Sequence, residues 1–96
     1  MKLILCPRCH DVVRLWDTIR RCSCGDSAGY YEADGVTARI YGSAIPVGFG
    51  NSSFYDAVRN RPMTGAGREF VAFIIPRECQ NVKHGDEGKE VAMTTR

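Results

Sequence analysis

The sequence contains no apolar run close to the roughly 20 residues that a membrane-spanning helix requires. Its first five residues, MKLIL, are too few for the apolar region of a secretory signal, and no small-residue cleavage site follows them. Internal repeats and low-complexity segments are also missing. In these 96 residues we therefore expect one soluble, cytoplasmic domain with reduced cysteines and no membrane partner.

Patterns typical of enzymes are also absent. No Walker lysine follows a glycine-rich loop, and there is no dinucleotide fingerprint. Carboxylates paired for acid–base catalysis are missing, because Asp34, which is near Glu32, belongs to a predicted turn. Cys79 precedes His84 by five positions, but no third group is available to orient such a nucleophile pair. We therefore predict a protein without enzymatic activity.

The sequence does contain two cysteine pairs, CPRC at residues 6–9 and CSCG at residues 22–25. Four thiols at this spacing predict one tetrahedral metal site, and a structural zinc would have all four coordination positions filled. The same ligands accept iron, and a redox disulfide pair is a further alternative. A metal also suits a chain this short, because its core is small. The predicted metal ligands are Cys6, Cys9, Cys22 and Cys24.

The two motifs resemble the half-sites of zinc ribbons and rubredoxin knuckles, which typically read CPxCG and CxxCG. This resemblance covers about residues 1–25 and implies two knuckles, brought together by a hairpin, around one structural zinc. The chain departs from the pattern at His10, which stands where a glycine is usual. It departs again at the second pair, where one residue rather than two separates the cysteines.

Apolar periodicity and turn residues predict a β-rich α+β protein, in which an N-terminal zinc ribbon is fused to a small antiparallel sheet with one short helix. We expect a single zinc-stabilised domain over residues 1–76, with the ribbon in 1–25 and the sheet and helix in 26–76. Residues 77–96 predict a polar C-terminal tail, since their charges nearly balance and their apolar positions have no period.

Three segments and one residue of this arrangement are specific enough to test. Residues 36–42 alternate, so Val36, Ala38 and Ile40 are expected to face the core. Residues 51–60 predict the helix, and residues 70–75 are apolar on both faces, as in a central strand covered on both sides. Trp16 is expected to pack beneath the metal.

A glycine turn before a helix, VGFGNSS at residues 47–53, predicts a site for an anion. A helix N-terminus offers free N–H groups and partial positive charge, and glycines allow the backbone to approach an anion closely. A capped helix after a tight turn explains the same residues without a ligand. Neighbouring arginines could pair with phosphates, and a tyrosine could stack on a base. The predicted ligand-binding residues are Arg39, Tyr41, Gly48, Gly50, Asn51, Ser52, Ser53, Arg59 and Arg61.

We therefore predict a non-enzymatic, zinc-stabilised module that binds an anionic, nucleotide-like ligand. In size and in its CPxC opening the chain resembles small bacterial and phage proteins, some of which sequester nucleotide signals used in host defence. Two alternatives stay open: a zinc ribbon that binds RNA or DNA, and a protein-interaction adaptor. The nucleic-acid alternative would use Arg8, Arg14, Arg20 and Arg21, which could instead compensate the charge of the thiolates. A homo-oligomer also stays open.

Overall fold

The computed structural model describes residues 1–85, which form eight strands and one helix. The helix, α1, comprises Asn51–Arg59. This content confirms the predicted β-rich α+β class. The strands are β1 (Lys2–Leu5), β2 (Val12–Arg14), β3 (Arg20–Arg21), β4 (Ala28–Tyr31), β5 (Ala38–Tyr41), β6 (Ile45–Phe49), β7 (Ala72–Ile74) and β8 (Val82–His84).

The strands form two four-stranded sheets rather than a ribbon beside one antiparallel sheet. Sheet A has the order β2-β1-β6-β7, and all its neighbours are antiparallel. Sheet B has the order β3-β4-β5-β8, in which β8 is parallel to β5. The strands of residues 1–25 are therefore divided between the two sheets, with β1 and β2 in sheet A and β3 in sheet B.

A short crossing explains this division. The N–H of Leu15 donates to the carbonyl of Lys2 in sheet A, at 3.3 Å. The carbonyl of the next residue, Trp16, accepts the N–H of Tyr31 in sheet B, at 2.6 Å. The chain therefore passes from one sheet to the other at Leu15 and Trp16, so that β2 pairs with β1 and β3 pairs with β4.

The main apolar core lies between the sheets and draws residues from both. Ile4 of β1 and Ile40 of β5 are almost fully buried, which confirms the core face predicted for β5. Val36 is the exception, because it precedes the strand and is 50% exposed. A smaller cluster contains Ile19, Ala28, Tyr30 and Tyr41. The main cluster consists of Ile4, Leu15, Ala38, Ile40, Ala44, Ile75 and Val82.

Two predictions about the later part of the chain are wrong. The apolar segment at residues 70–75 forms β7, an exposed edge strand that pairs only with β6 within residues 1–85, rather than a covered central strand. The predicted tail includes β8, because backbone pairing with β5 gives order to a segment that lacks apolar periodicity. Residues 86–96 of that tail lie outside the described residues.

The helix begins and ends close to the predicted bounds, and it packs through one aromatic side chain. No residue of α1 is buried. The ring centroid of Phe54 lies 5.3 Å from that of Phe49 and 4.8 Å from that of Phe70. The centroids of Phe49 and Phe70 are 4.9 Å apart. This three-ring cluster attaches α1 to sheet A. The helix of residues 1–85 is neither long nor apolar enough to cross a membrane.

Candidate metal centre

Each cysteine pair lies in a six-residue loop at the tip of a β hairpin. The first loop joins β1 to β2, and the N–H of Cys6 at its start donates to the carbonyl of Asp11 at its end. The second joins β3 to β4, and the N–H of Cys22 donates in the same way to the carbonyl of Ser27. Both hydrogen bonds are 2.9 Å long, so the two loops close alike although their cysteine spacings differ.

Both loops turn through a residue with positive φ. Gly25 has φ of 82°, and its N–H donates to the carbonyl of Cys22 at 3.0 Å. His10 has φ of 62°, which is uncommon for a residue with a side chain, and its N–H donates to the carbonyl of Cys6 at 2.8 Å. His10 therefore makes the turn that glycine usually makes in the CPxCG motif, which residues 6–10 resemble.

The two hairpin tips bring the four thiols together. The Sγ atom of Cys24 lies 3.7 Å from that of Cys6 and 3.6 Å from that of Cys22, and all four Sγ atoms are within 4.8 Å of one another. Metal–sulfur bonds of about 2.3 Å give a regular tetrahedron with edges of about 3.8 Å. The arrangement can therefore hold a metal ion and is consistent with a zinc-binding knuckle.

Two of the thiols are acidified by neighbouring groups. The hydroxyl of Ser27 and then the N–H of Cys9 are the main causes that lower the pKa of Cys6 to about 6. This hydroxyl is buried and makes no well-aligned hydrogen bond within residues 1–85. Its polar partner is therefore the sulfur of Cys6. Burial and the Cys6 thiol raise the pKa of Cys22, but the Ser27 N–H, 3.3 Å from its sulfur, and the thiols of Cys24 and Cys9 lower it overall.

The thiol of Cys24 behaves in the opposite way. The N–H of Asp26 donates to it and lowers its pKa, but burial and the neighbouring thiols raise the pKa to about 12. The four groups therefore lose one proton readily and retain another strongly, as expected when several anions share a small volume. A divalent cation would replace these protons and remove the repulsion.

Polar contacts hold the two loops against each other. The carboxylate of Asp11 in the first loop accepts hydrogen bonds from the N–H and hydroxyl of Ser23 in the second, at 2.9 and 3.0 Å. The guanidinium of Arg8 lies 3.5 Å from the carboxylate of Asp26. These contacts orient the thiols independently of the metal, and the sequence motif alone did not indicate them.

The turn after β5 also rests on the second loop. Gly42 has φ of 67°, and a Cβ atom at this position would overlap the carbonyl oxygen of Asp26. The absence of a side chain at Gly42 therefore allows sheet B to pack against the metal-binding loop.

Comparisons with protein-family models, with curated proteins and with solved structures find no match. Within residues 1–85, the four cysteines are the only group of three or more potential metal-ligating side chains close enough to share an ion. Cys79 is half-buried and packs against the main core, whereas His84 is exposed on β8.

At the helix start, the residues predicted to bind an anion make contacts within the chain. The hydroxyl of Ser53 donates to the carbonyl of Gly50 at 2.8 Å and accepts the N–H of Val71 at 2.9 Å. The side-chain oxygen of Asn51 accepts a hydrogen bond from the amine of Met1. Ser52 is exposed. A ring carbon of Phe73 lies 2.5 Å from where a Cβ of Gly48 would be, so that glycine makes room for the ring.

The remaining predicted ligand residues are distributed over the molecule. Arg39 is paired with Glu32 at 2.9 Å. Tyr41 is buried, with its ring stacked 6.3 Å from that of Tyr30. Exposed positions near the end of α1 are occupied by Arg59 and Arg61. The structure therefore does not gather the predicted set into one pocket, and ligand binding at the helix start stays a prediction.

A groove of about 790 Å³ lies beside Trp16, a residue that we expected to find packed beneath the metal. Trp16 is instead 45% exposed, and the guanidinium carbon of Arg14 lies 4.5 Å from its ring centroid. Positions 14 and 16 are two apart in an extended segment, and this spacing places them on one face. That signal was available in the sequence. The groove is also lined by Tyr30, Tyr31, Glu32 and Arg39.

Replacing Gly42 with alanine should loosen the metal centre as well as destabilise the fold. Gly35 is the matched control, because its φ of 70° is also positive but a Cβ there meets nothing within 4 Å. We expect Gly35→Ala to cost about 1–2 kcal/mol through backbone strain alone. Gly42→Ala should lower the melting temperature further and weaken metal affinity in a chelator competition. Equal metal affinities for the two variants would contradict the packing described for this turn.

Metal affinity should rise with pH across the neutral range. At pH 7 the metal-free protein holds the Cys24 proton, whose pKa is about 12, so metal binding must release it. Below pH 6 the Cys6 thiol, whose pKa is about 6, also becomes protonated, and the dependence steepens. We expect metal affinity to change about tenfold per pH unit for each proton that the metal displaces. Calorimetric titrations in buffers of different ionisation enthalpy count these protons; an affinity independent of pH from 5 to 8 would contradict the assignment.

Proposed function

We propose that the metal is zinc and that its role is structural, in a centre similar to a zinc ribbon. Four cysteine ligands leave no coordination position for water or substrate, which is typical of structural zinc sites. The ligands come from hairpins that belong to different sheets, so the ion would cross-link sheet A to sheet B. The separations of 3.6 and 3.7 Å between sulfur atoms support this proposal.

Substituting one metal ligand should remove the zinc, whereas substituting the fifth cysteine should not. Cys24 is exposed, so Cys24→Ser perturbs packing little but deletes a ligand. Cys79→Ser is the matched control, because Cys79 packs against the main core and lies outside the four-thiol group. Native mass spectrometry should find one zinc per chain in the wild type and in Cys79→Ser, and less in Cys24→Ser.

The same measurement distinguishes the alternatives. Iron in place of zinc would identify a redox-capable centre, and full zinc retention in Cys24→Ser would rule out four-cysteine coordination. We expect the Cys24→Ser protein to lose several kcal/mol of unfolding free energy, because metal binding and folding are coupled in small zinc domains, where zinc contributes about 10–16 kcal/mol.

We further propose that the protein is a non-enzymatic binding module for an anionic ligand with a planar base, such as a nucleotide. The observation that carries this proposal is the guanidinium of Arg14 at 4.5 Å from the ring centroid of Trp16, at the edge of the 790 Å³ groove. Exposed aromatic rings provide stacking surfaces for bases, and arginine binds phosphate in a bidentate manner.

A second cavity continues the groove and adds positive charge. It has a volume of about 380 Å³ and shares Arg14, Tyr31 and Gly35 with the groove. Lys2 also lines it, with its ammonium 5.8 Å from the ring centroid of Tyr31. A base stacked near Trp16 could therefore place its phosphate beside Arg14 and Lys2. Arg39 is less suitable as a phosphate ligand, since the Glu32 carboxylate already neutralises it.

Single-stranded nucleic acid is the second candidate, and one observation favours it. On the other side of Arg14 a polar groove of about 580 Å³ is lined by Thr18, Arg20 and Arg21. A strand could follow these arginines from one groove to the next while its bases stack on Trp16. Arg8 is less suited to this role because it pairs with Asp26.

Binding can be followed through Trp16, since it is the only tryptophan in the sequence. We expect nucleoside monophosphates to change its fluorescence, with a dissociation constant in roughly the micromolar range. Arg14→Ala should weaken binding about tenfold or more, because it removes a charge-assisted contact. Arg59→Ala is the matched control at the end of α1, and its affinity should stay within about twofold of the wild type.

A series with single-stranded oligonucleotides of about ten residues separates the two candidates. Affinity that falls steeply with salt, and that also depends on Arg20, would favour nucleic acid over a free nucleotide. Loss of binding in Arg59→Ala but not in Arg14→Ala would instead favour the residues predicted from the sequence, which include Arg59. If neither ligand class binds the wild type, the proposed function is wrong, and the adaptor interpretation becomes the leading one.

A further inference from the structure

The edge of sheet A exposes apolar side chains on both faces of β7. Val71 is 58% exposed, Phe73 50% and Ile74 63%. Within residues 1–85, β6 is the only strand that pairs with β7, so its other side is a free sheet edge. Exposed apolar edges favour addition of a further strand, and natural proteins usually protect them with charges or covering segments.

The hydrogen bonds to β6 show which backbone groups of this edge point outward. Gly50 donates to the carbonyl of Val71 at 2.8 Å, and Ile75 donates to the carbonyl of Pro46 at 3.0 Å. Residues 71, 73 and 75 therefore direct their backbone groups toward β6, because the direction alternates along a strand. Ala72 and Ile74 direct their N–H and C=O groups toward the free edge.

The sequence around this edge is complementary to itself when it runs antiparallel. Residues 68–78 read REFVAFIIPRE, an apolar core with Arg-Glu at both ends. If two copies align with Phe73 opposite Phe73 and the extended pairing continues beyond β7, then Glu69 meets Arg77 of the other copy. Arg68, which lies 3.5 Å from the Asp56 carboxylate in the single chain, then meets Glu78. All four cross-copy charge pairs of a symmetric dimer are then of opposite sign, whereas like charges directly opposite would be destabilising.

The outward-pointing backbone groups fit the same alignment. In an antiparallel ladder centred on Phe73, Ala72 of one copy lies opposite Ile74 of the other, and the two exchange N–H···O=C bonds. Both residues have the N–H group that this exchange needs. Pro76, which has none, lies opposite Phe70 at the end of the apolar segment, where a missing donor ends the ladder.

We propose that the protein forms a symmetric homodimer by antiparallel pairing of β7 with β7 of a second copy, centred on Phe73. The two A sheets then join into one sheet of eight strands, and β7 becomes a central strand. The dimer is isologous, as a two-fold axis requires. This arrangement accounts for the apolar character of residues 70–75, which is typical of a covered central strand although the single chain leaves the segment at an edge. The proposal does not depend on the ligand in the groove.

Sedimentation equilibrium tests this proposal on the zinc-loaded wild type. At about 100 μM, well above a micromolar dissociation constant, we expect twice the 10.7 kDa mass of the chain. Ala72→Pro should give a monomer, because it removes an outward N–H but none of the bonds to β6. Bound zinc and the melting temperature verify that each variant is folded.

Charge reversal makes the test specific for the register. Glu69 and Arg77 are both exposed, so exchanging their charges leaves the core untouched. Glu69→Arg places two like-charged pairs in the dimer and should weaken it roughly 10- to 100-fold. The double variant Glu69→Arg with Arg77→Glu restores opposite signs and should return the affinity close to that of the wild type.

Three results would overturn the proposal. The first is a wild type that remains monomeric at the highest concentration. A monomer whose β7 edge pairs with a strand from another protein counts as the same result. The second is a dimer that neither Ala72→Pro nor Glu69→Arg weakens, which would assign the interface to another surface. The third is a double variant that is no better than Glu69→Arg, which would reject the alignment centred on Phe73.

Discussion

The four-thiol centre joins the tips of two hairpins that belong to different sheets, and the architecture depends on this link. A chain of 96 residues has a small core, and the main cluster between the sheets contains only a few large side chains. Structural zinc can contribute about 10–16 kcal/mol in small domains, which is comparable with the whole stability of a typical protein. Contacts such as Asp11 with Ser23 align the loops, but their energies are much smaller.

The four-cysteine cluster and the fold class could be predicted from the sequence because both depend on local signals. Cysteine spacing identifies a tetrahedral site, and alternating apolar residues identify β5. The division of the strands between two sheets could not be predicted, since the crossing at Leu15 and Trp16 depends on partners about fifteen residues away in either direction. The same reason explains β8, which has no apolar period and is ordered by backbone pairing with β5.

The predicted anion site shows a different limit of sequence analysis. Small polar residues at a helix start are typical both of an anion site and of a self-capped helix. Here the Ser53 hydroxyl donates one hydrogen bond and accepts another, both within the chain. The pair of Arg14 and Trp16 carried a usable signal in its spacing of two residues, but a single tryptophan in a small protein also suggested packing. Trp16 is 45% exposed and so does not fill the core, and this exposure depends on how the two sheets meet.

The position of the cysteines along the chain also bears on how the molecule folds. All four lie within residues 6–24, whereas the pairing of Leu5 with Ile45 joins residues forty positions apart. The entropy lost on closing a loop grows with its length, so the metal-binding loops can meet before the distant strands do. An ion captured at that stage would fix the directions in which β2 and β4 leave their loops. A metal bound by these loops would therefore act as a folding nucleus onto which the later strands assemble.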